Sequence, residues 1–261
     1  VISGYYGSLC RIECDRINSN CCDRPRFIQH LVRLLMPLPT SVRKIGPTRR
    51  SVSGYYAFRG EESIAFESTL ERDFLIKADF DVSVLGVISQ PCEISFHHPV
   101  TGRRYTYTPD YLVYYRLGNR HYKDYPKPLL VEVKPREKWQ AHWREWSPKW
   151  KAAIRHANNE GWAFRIHDES RIRDKTLDNI TFLARYKRMV FPSVESQAVL
   201  NTVREMGVAT LDYLLSRHFM GDIYRAEGIA HLWHLLATRQ LDCDMAQSFS
   251  PLSEVWVPDY E

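Results

Sequence analysis

The chain has 261 residues, of which 44% are hydrophobic and 13% aromatic, enough for one large domain or two small ones. No run of 18 or more apolar residues occurs, and the first residues lack the order of charged, apolar and small residues that marks a secretory signal. These features argue against a membrane or secreted protein, and we expect a cytoplasmic one.

Charge is distributed unevenly along the chain. Residues 193–261 contain 4 Arg, no Lys and 10 acidic residues, a net charge of −6. Residues 1–192 therefore hold 32 basic and 21 acidic side chains, a net charge of +11. A basic region suits a polyanion such as nucleic acid, and an acidic region suits a protein partner. A random scatter of charge is the simpler alternative.

The first 60 residues form two segments without a clear helix or strand pattern. Residues 1–35 hold four of the six cysteines, which could bind zinc together with His30, but their spacing matches no usual zinc pattern. Because Met36 is a plausible translation start, we prefer to interpret residues 1–35 as a non-native or disordered extension. Residues 36–60 are basic and rich in Pro, Gly and Ser, which predicts a basic arm.

Residues 61–190 have the pattern of an α/β domain. Apolar residues recur at helical spacing from Glu61 to Asp79, which predicts an amphipathic helix. Five short runs rich in β-forming residues follow, which predict consecutive strands: VLGVISQ, CEISFHH, RRYTY, YLVYYR and LLVEVK. A helix with Ser147 as N-cap, Pro148 at its first position and Gly161 as its stop comes next, and then a strand, WAFRIHDES. This order predicts a mixed sheet flanked by helices.

Residues 191–261 have a mainly α-helical pattern. Three helices are predicted, the first closed by Gly207 and the third capped by Asp222, and two short β-like runs end the chain. Three helices followed by a hairpin is the order of a winged helix. The third helix offers Arg225, His231 and His234 beside Glu227, a weak surface for phosphates. We therefore expect this domain to contact protein.

Three charged residues lie in or beside apolar strands, where an unpaired charge is costly. Asp110 precedes YLVYY, whereas Glu132 and Lys134 lie in LLVEVK and point to the same face of their strand. If the two strands pair, the three groups converge. Two carboxylates can hold Mg²⁺, with the Val133 carbonyl as a further ligand, and the metal can activate a water for attack on phosphorus. Lys134 can orient that water or stabilise the developing charge. An ordinary ion pair between Glu132 and Lys134 is the alternative.

Pro-Asp followed by Glu-x-Lys is the pattern of the PD-(D/E)xK nucleases. With the segment FESTLERDFLIKADFDVSVLGVISQPCEISF before it, the chain resembles TnsA, the endonuclease subunit of heteromeric transposases, over about residues 50–170. The resemblance implies a restriction-endonuclease-like core. It also implies a Mg²⁺ site, in which Mn²⁺ is expected to substitute, formed by Glu71, Asp110 and Glu132, with Lys134 as catalytic lysine. Glu67 is our second choice for the ligand from the helix.

The resemblance also implies a role and a set of partners. TnsA cuts the 5′ ends of the transposon in double-stranded DNA, while a TnsB-type transposase cuts and joins the 3′ ends, so the element moves by cut-and-paste. A TnsC-type AAA+ ATPase contacts the TnsA C-terminal domain in relatives. Two alternatives remain open: a stand-alone restriction or repair nuclease, and a DNA-bound assembly module without catalysis.

Two further groups of residues follow the motif. Lys149, Lys151 and Arg155 lie on the helix after Lys134 and could hold backbone phosphates near the metal, although a solvated helix face is equally consistent with the pattern. Four tryptophans, at positions 139, 143, 146 and 150, recur every three or four residues. We interpret this stripe as core packing and not as a platform for stacking bases.

Overall fold

The computed structural model describes residues 52–98, 101–118 and 120–259. The predicted extension at residues 1–35, with its four cysteines, and residues 36–51 of the predicted basic arm lie outside the described residues. Within the described residues, no helix is both long and apolar enough to cross a membrane.

A tight hairpin opens the described chain. Strands β1 (Gly54–Phe58) and β2 (Glu62–Phe66) pair antiparallel, and Arg59 and Gly60, both with positive φ, form the turn. The prediction of a helix beginning at Glu61 was therefore wrong over its first part. Ile64 and Phe66 are both buried, so the apolar period here is that of a strand.

Helix α1 (Thr69–Phe80) follows the hairpin directly. Ser68 caps it, with its hydroxyl oxygen accepting from the Glu71 N–H. Its buried apolar residues, which face the sheet, are Leu70, Phe74, Leu75 and Ala78. Glu67 lies in the bend before α1, so it is not on the helix as predicted.

Six strands follow α1, and all six were predicted. They are β3 (Val84–Ser89), β4 (Ile94–His97), β5 (Arg104–Tyr107), β6 (Tyr111–Tyr115), β7 (Leu129–Val133) and β8 (Ala163–His167). A 3₁₀ turn (Tyr122–Asp124) separates β6 from β7. The main sheet has the order β3-β6-β7-β8, in which only β8 runs parallel to its neighbour β7, and β4 and β5 form a separate antiparallel hairpin. The sheet is therefore mixed, as predicted.

The crossover from β7 to β8 contains two helices, α2 (Arg136–Ala141) and α3 (Trp143–Asn159). The prediction that Ser147 caps α3 was wrong, because the helix begins four residues earlier and holds Pro148 in its interior. Backbone bonding continues through the junction, where the Trp146 N–H donates to the His142 carbonyl at 2.9 Å. The predicted stop is confirmed: Gly161 follows α3 with φ +75°.

The two faces of the sheet bury different apolar clusters. Successive residues of a strand point to opposite faces, so Tyr111 and Val131 belong to one cluster, and Leu112 and Leu130 to the other. The first cluster joins the sheet to α1 and the β1–β2 hairpin. The second joins it to α3 and the β4–β5 hairpin. The predicted α/β class, a mixed sheet flanked by helices, is confirmed.

The rest of the chain is mainly helical, and most of it packs around its own apolar cluster, whereas Ile172 still belongs to the cluster that joins the sheet to α1. Its elements are α4 (Glu169–Ile172), α5 (Lys175–Leu183), α6 (Ser193–Met206), β9 (Ala209–Thr210), α7 (Leu211–His218), α8 (Asp222–Ala237), β10 (Asp242–Cys243) and β11 (Glu254–Trp256). The three long helices and both terminal strands were predicted, and Gly207 closes α6 with φ +78°. Asp222 is not a cap as predicted: Gly221 holds that position, without a side-chain bond. Strand β9, which was not predicted, pairs with β11.

Candidate active site

The pairing of β6 with β7 brings Asp110 beside Glu132. Tyr111 lies opposite Val131 in this antiparallel pair, so the residue before Tyr111 faces the residue after Val131. Val133 lies beyond the last residue pair between β6 and β7, and its N–H donates to Asp110 Oδ2 at 2.7 Å. This bond holds the Asp110 carboxylate at the C-terminal end of β7.

Lys134 links the two carboxylates. Its Nζ lies 3.7 Å from Asp110 Oδ2 and 3.6 Å from Glu132 Oε1. The expected convergence of Asp110, Glu132 and Lys134 is therefore present in the fold. Their side chains point to the face of the sheet that α3 covers, because Glu132 shares the strand parity of Leu130.

Glu132 is the most deeply buried of these groups, with a side chain only 1% exposed. The Tyr107 hydroxyl donates to its Oε2 at 2.5 Å, and Lys149 Nζ donates to its Oε1 at 3.3 Å. A buried carboxylate needs such donors, since an unpaired charge in this place would cost several kcal/mol.

The electrostatics of the site are those of like charges held close together. Burial raises the pKa of Asp110 well above its usual value, the charge of Glu132 raises it further, and Lys134 opposes the increase. Burial by itself would lower the pKa of Lys134, but the charges of Asp110, Glu132 and Glu71 together raise it. Burial and the neighbouring Glu132 raise the pKa of Tyr107 well above its usual value, so this hydroxyl remains a donor.

Glu71 approaches from α1, on the opposite face of the sheet from α3. Its Oε1 accepts from the Ser68 hydroxyl at 2.9 Å, and its Oε2 accepts from the Glu67 N–H at 2.7 Å and the Tyr111 hydroxyl at 3.4 Å. Burial raises the pKa of Glu71, and the bonds from Glu67 and Ser68 oppose that increase. Glu71 thus closes a variant of the capping box at the start of α1, in which its carboxylate accepts from the Glu67 N–H and the Ser68 hydroxyl. The Ser-x-x-Glu pattern at 68–71 signals this structural role, which the sequence analysis missed.

The predicted metal site is only partly assembled. Among residues 52–98, 101–118 and 120–259, no three His, Cys, Asp or Glu side chains lie close enough together to hold a metal ion. Asp110 and Glu132 nevertheless suit Mg²⁺, because they offer carboxylate oxygens, and because burial and then the charge of Glu132 raise the pKa of Asp110. A divalent cation between them would relieve the repulsion of their charges. The metal-binding and catalytic roles of these residues stay predictions.

The predicted phosphate-binding residues lie on different parts of α3. Lys151 and Arg155 are exposed, whereas Lys149 is turned inward to Glu132. The tryptophan stripe is also divided. Trp150 is 2% exposed, as predicted for core, whereas Trp143 is 49% exposed, so the core interpretation was wrong for that residue.

Three residues of the site were not predicted from the sequence. Tyr107 and Tyr111 flank the Pro-Asp pair and bond to Glu132 and Glu71 respectively. Their positions three residues before and one residue after Asp110 are a usable signal. Gln90 is buried with φ +48°, its N–H donates to the Asp110 carbonyl at 2.8 Å, and its Oε1 has no hydrogen-bond partner in the described structure. No local pattern marks Gln90.

Paired carboxylates beside a lysine on adjacent strands are typical of enzymes that hydrolyse phosphodiesters with a metal ion. Residues 81–169 match the family described as TnsA-like endonuclease N terminal, and residues 171–245 match that described as TnsA endonuclease C terminal. The two matches together span more than half of the 261 residues, and the chain belongs to the TnsA endonuclease family.

The first match contains Asp110, Glu132 and Lys134, whereas Glu71 lies before its start. A comparison with curated proteins gives no match to this chain. The family assignment confirms the resemblance inferred from the sequence and indicates a nuclease that acts in DNA transposition.

Proposed function

We propose that this chain is the Mg²⁺-dependent DNA endonuclease subunit of a heteromeric transposase, and that it cuts the 5′ ends of the transposon during cut-and-paste transposition. The observation that carries the proposal is the position of the Lys134 ammonium, which lies 3.7 Å from Asp110 and 3.6 Å from Glu132 at the C-terminal end of β7, a central strand of the mixed sheet. Membership of the TnsA endonuclease family supports the same function.

In this proposal Asp110, Glu132 and the Val133 carbonyl hold Mg²⁺, for which Mn²⁺ substitutes, and Glu71 joins them from α1. When bound, the metal polarises a phosphoryl oxygen and lowers the pKa of a coordinated water. Glu71 now uses both carboxylate oxygens in the capping box, so its share in metal binding requires at least one of those bonds to open. Metal binding by Glu71 therefore competes with its capping of α1.

The protein's own residues prepare the site for phosphodiester hydrolysis. The Val133 N–H orients Asp110, and the Tyr107 hydroxyl orients Glu132, so neither carboxylate needs to reorganise when substrate arrives. The Lys134 ammonium can donate to the attacking water or to an oxygen of the scissile phosphate. Stabilisation of charge by such a fixed donor is the principal contribution that we assign to Lys134.

The nuclease region and the C-terminal region suit different partners. Lys151 and Arg155, exposed on α3, are proposed to hold phosphates of double-stranded DNA at the transposon end. The C-terminal helices and their three-stranded sheet are proposed to form a winged helix that binds protein. On α8, Arg225 pairs with Asp212 and His231 is fully buried, so neither is presented to phosphates.

The partners proposed for this C-terminal region and for the nuclease are a TnsC-type AAA+ ATPase and a TnsB-type transposase. Exposed apolar side chains near the starts of α6 and α8 support a protein contact, since Val194 and Ile223 are 80% and 86% exposed. A cytoplasmic location is proposed with this function, because the DNA substrate and the ATP-dependent partner are found there.

The proposal is tested by reconstituting excision with the transposase and the ATPase in Mg²⁺ and mapping nicks on both strands. Asp110→Ala is expected to abolish the 5′ nicks and leave the 3′ nicks unchanged, because it removes a carboxylate from the metal site only. Asp124→Ala, a change of an exposed acid in the 3₁₀ turn, is the matched control.

Unchanged 5′ nicks in Asp110→Ala would assign this chain a scaffolding role instead. Cutting by the chain alone, without partners, would favour a stand-alone nuclease.

A further inference from the structure

Lys149 has a different environment from the other basic residues of α3. Its Nζ lies 3.3 Å from Glu132 Oε1, and its side chain is 19% exposed. Three aromatic rings surround the ammonium, with Nζ 4.9 Å from the centroid of Tyr107, 4.8 Å from Trp146 and 5.6 Å from Trp150. Such a cage favours a cation and shields it from water.

The cage is a consequence of the tertiary fold. Tyr107 ends β5, the tryptophans belong to α3, and Glu132 belongs to β7, so the three elements meet only when the β4–β5 hairpin and α3 pack on the same face of the sheet. Lys151, two residues later on the same helix, is exposed. The structure thus commits one lysine of α3 to the active-site carboxylate and leaves its neighbour in solvent.

Glu132 Oε1 faces two ammonium groups. Lys134 Nζ lies 3.6 Å from this oxygen and Lys149 Nζ lies 3.3 Å from it. A divalent cation that binds the same oxygen repels both ammonium groups at this range. Lys134 has a second carboxylate, Asp110, at 3.7 Å, whereas Glu132 is the one carboxylate within ion-pair distance of Lys149 in the described structure. Displacing Lys149 from the site therefore breaks one ion pair, whereas displacing Lys134 breaks two.

We propose that Lys149 is a resident cation that exchanges with the metal. Its ammonium neutralises Glu132 while no metal is bound. When a divalent cation takes over Glu132 Oε1, Lys149 turns to the scissile phosphate and donates a hydrogen bond to one of its oxygens. The inference rests on the proposed nuclease function, and it makes Lys149 a catalytic residue in addition to Lys134.

The exchange is tested by calorimetric titration of the full chain with Mn²⁺. Lys149→Met keeps the length and the packing of the side chain among the rings but removes the charge. We expect it to bind Mn²⁺ roughly tenfold more tightly than the wild type, because the competing cation is gone. Lys149→Arg, which keeps a cation, is expected to bind Mn²⁺ as the wild type does, and so is the exposed control Lys151→Met.

Equal or weaker Mn²⁺ binding by Lys149→Met, in a protein with wild-type melting temperature, would overturn the exchange. Weaker binding would instead make Lys149 a positioning residue that holds Glu132 for the metal. Glu132→Gln, which removes the shared carboxylate, is expected to lose most of the Mn²⁺ binding and identifies the heat as that of this site.

The phosphate contact is tested in reconstituted excision at saturating Mn²⁺. Lys149→Met is expected to slow 5′ nicking roughly tenfold or more although its metal site is full. Lys127→Met, a change of an exposed lysine that has no part in the proposed site, is expected to change 5′ nicking little. Wild-type nicking by Lys149→Met would overturn the contact with phosphate. Because calorimetry needs neither DNA nor partners, a wild-type chain that makes no 5′ nicks would refute the proposed function and leave the exchange to be judged by Mn²⁺ binding.

Discussion

The nuclease region and the C-terminal region bury different kinds of group. In the nuclease region, Glu132 is 1% exposed and Glu71 is 8% exposed, and both carboxylates accept hydrogen bonds from neighbouring donors. The C-terminal cluster is almost wholly aliphatic and aromatic, and the buried polar side chains of that region in the described structure, Asn179, Thr202 and His231, include no carboxylate. Buried carboxylates cost stability and are retained where chemistry needs them. This difference supports our proposal that the chemistry lies in the nuclease region and that the C-terminal region serves packing and partner contact.

The sharpest test of this division is Lys134→Ala. It removes the ammonium shared by Asp110 and Glu132, so we expect 5′ nicking in the reconstituted system to fall on the order of 10²–10³-fold. Lys127→Ala, a change of an exposed lysine at the opposite end of β7, is the control and is expected to be active. If both variants nick at the wild-type rate, the cluster is structural and the two regions do not divide the work as argued.

Gly228→Ala breaks the packing of the C-terminal region without touching the nuclease site. A Cβ at this position of α8 would lie 2.3 Å from Cγ of the Phe219 ring, which is itself buried. We expect a loss of about 1–3 kcal/mol in the free energy of unfolding, measured by thermal or denaturant melting. In Gly86→Ala, the control in β3, the added Cβ meets nothing within 4 Å. Equal melting of the two variants would show that the Phe219 contact relaxes freely.

Glu71→Gln separates the capping role of Glu71 from its proposed role as a metal ligand. Glutamine at this position can still close a capping box, so the melting temperature is expected to stay near that of the wild type. If Glu71 also helps to hold the metal, 5′ nicking falls roughly tenfold or more. The control, Glu67→Gln, changes the acid in the bend before α1. Full activity of Glu71→Gln would restrict the residue to capping, and a loss in Glu67→Gln alone would transfer the ligand role to Glu67.

Much of the architecture was predictable because its signals are local. Short runs rich in β-forming residues identified β3 to β8, and Gly161 and Gly207 marked helix ends where φ is positive. The errors also have local causes. The short apolar run around Ile64 fits either a strand or a helix, and the Ser-Pro pair at 147–148 imitates a helix start although α3 already extends through it.

The amino-acid sequence by itself determined which two carboxylates and which lysine come together where β6 begins and β7 ends. Asp110 lies just before β6 and Glu132 lies near the end of β7, so antiparallel pairing of the two strands brings them together. Strand alternation directs the Lys134 side chain to the same face of the sheet as Glu132. Only the tertiary structure decided what surrounds them. Tyr107 and Lys149 come from a separate hairpin and from the crossover helix, and the opposite face supplies the capping bonds of Glu71. The reason is physical: strand periodicity is encoded in neighbouring residues, whereas a buried charge is neutralised by whichever donors the packing of distant elements brings to it.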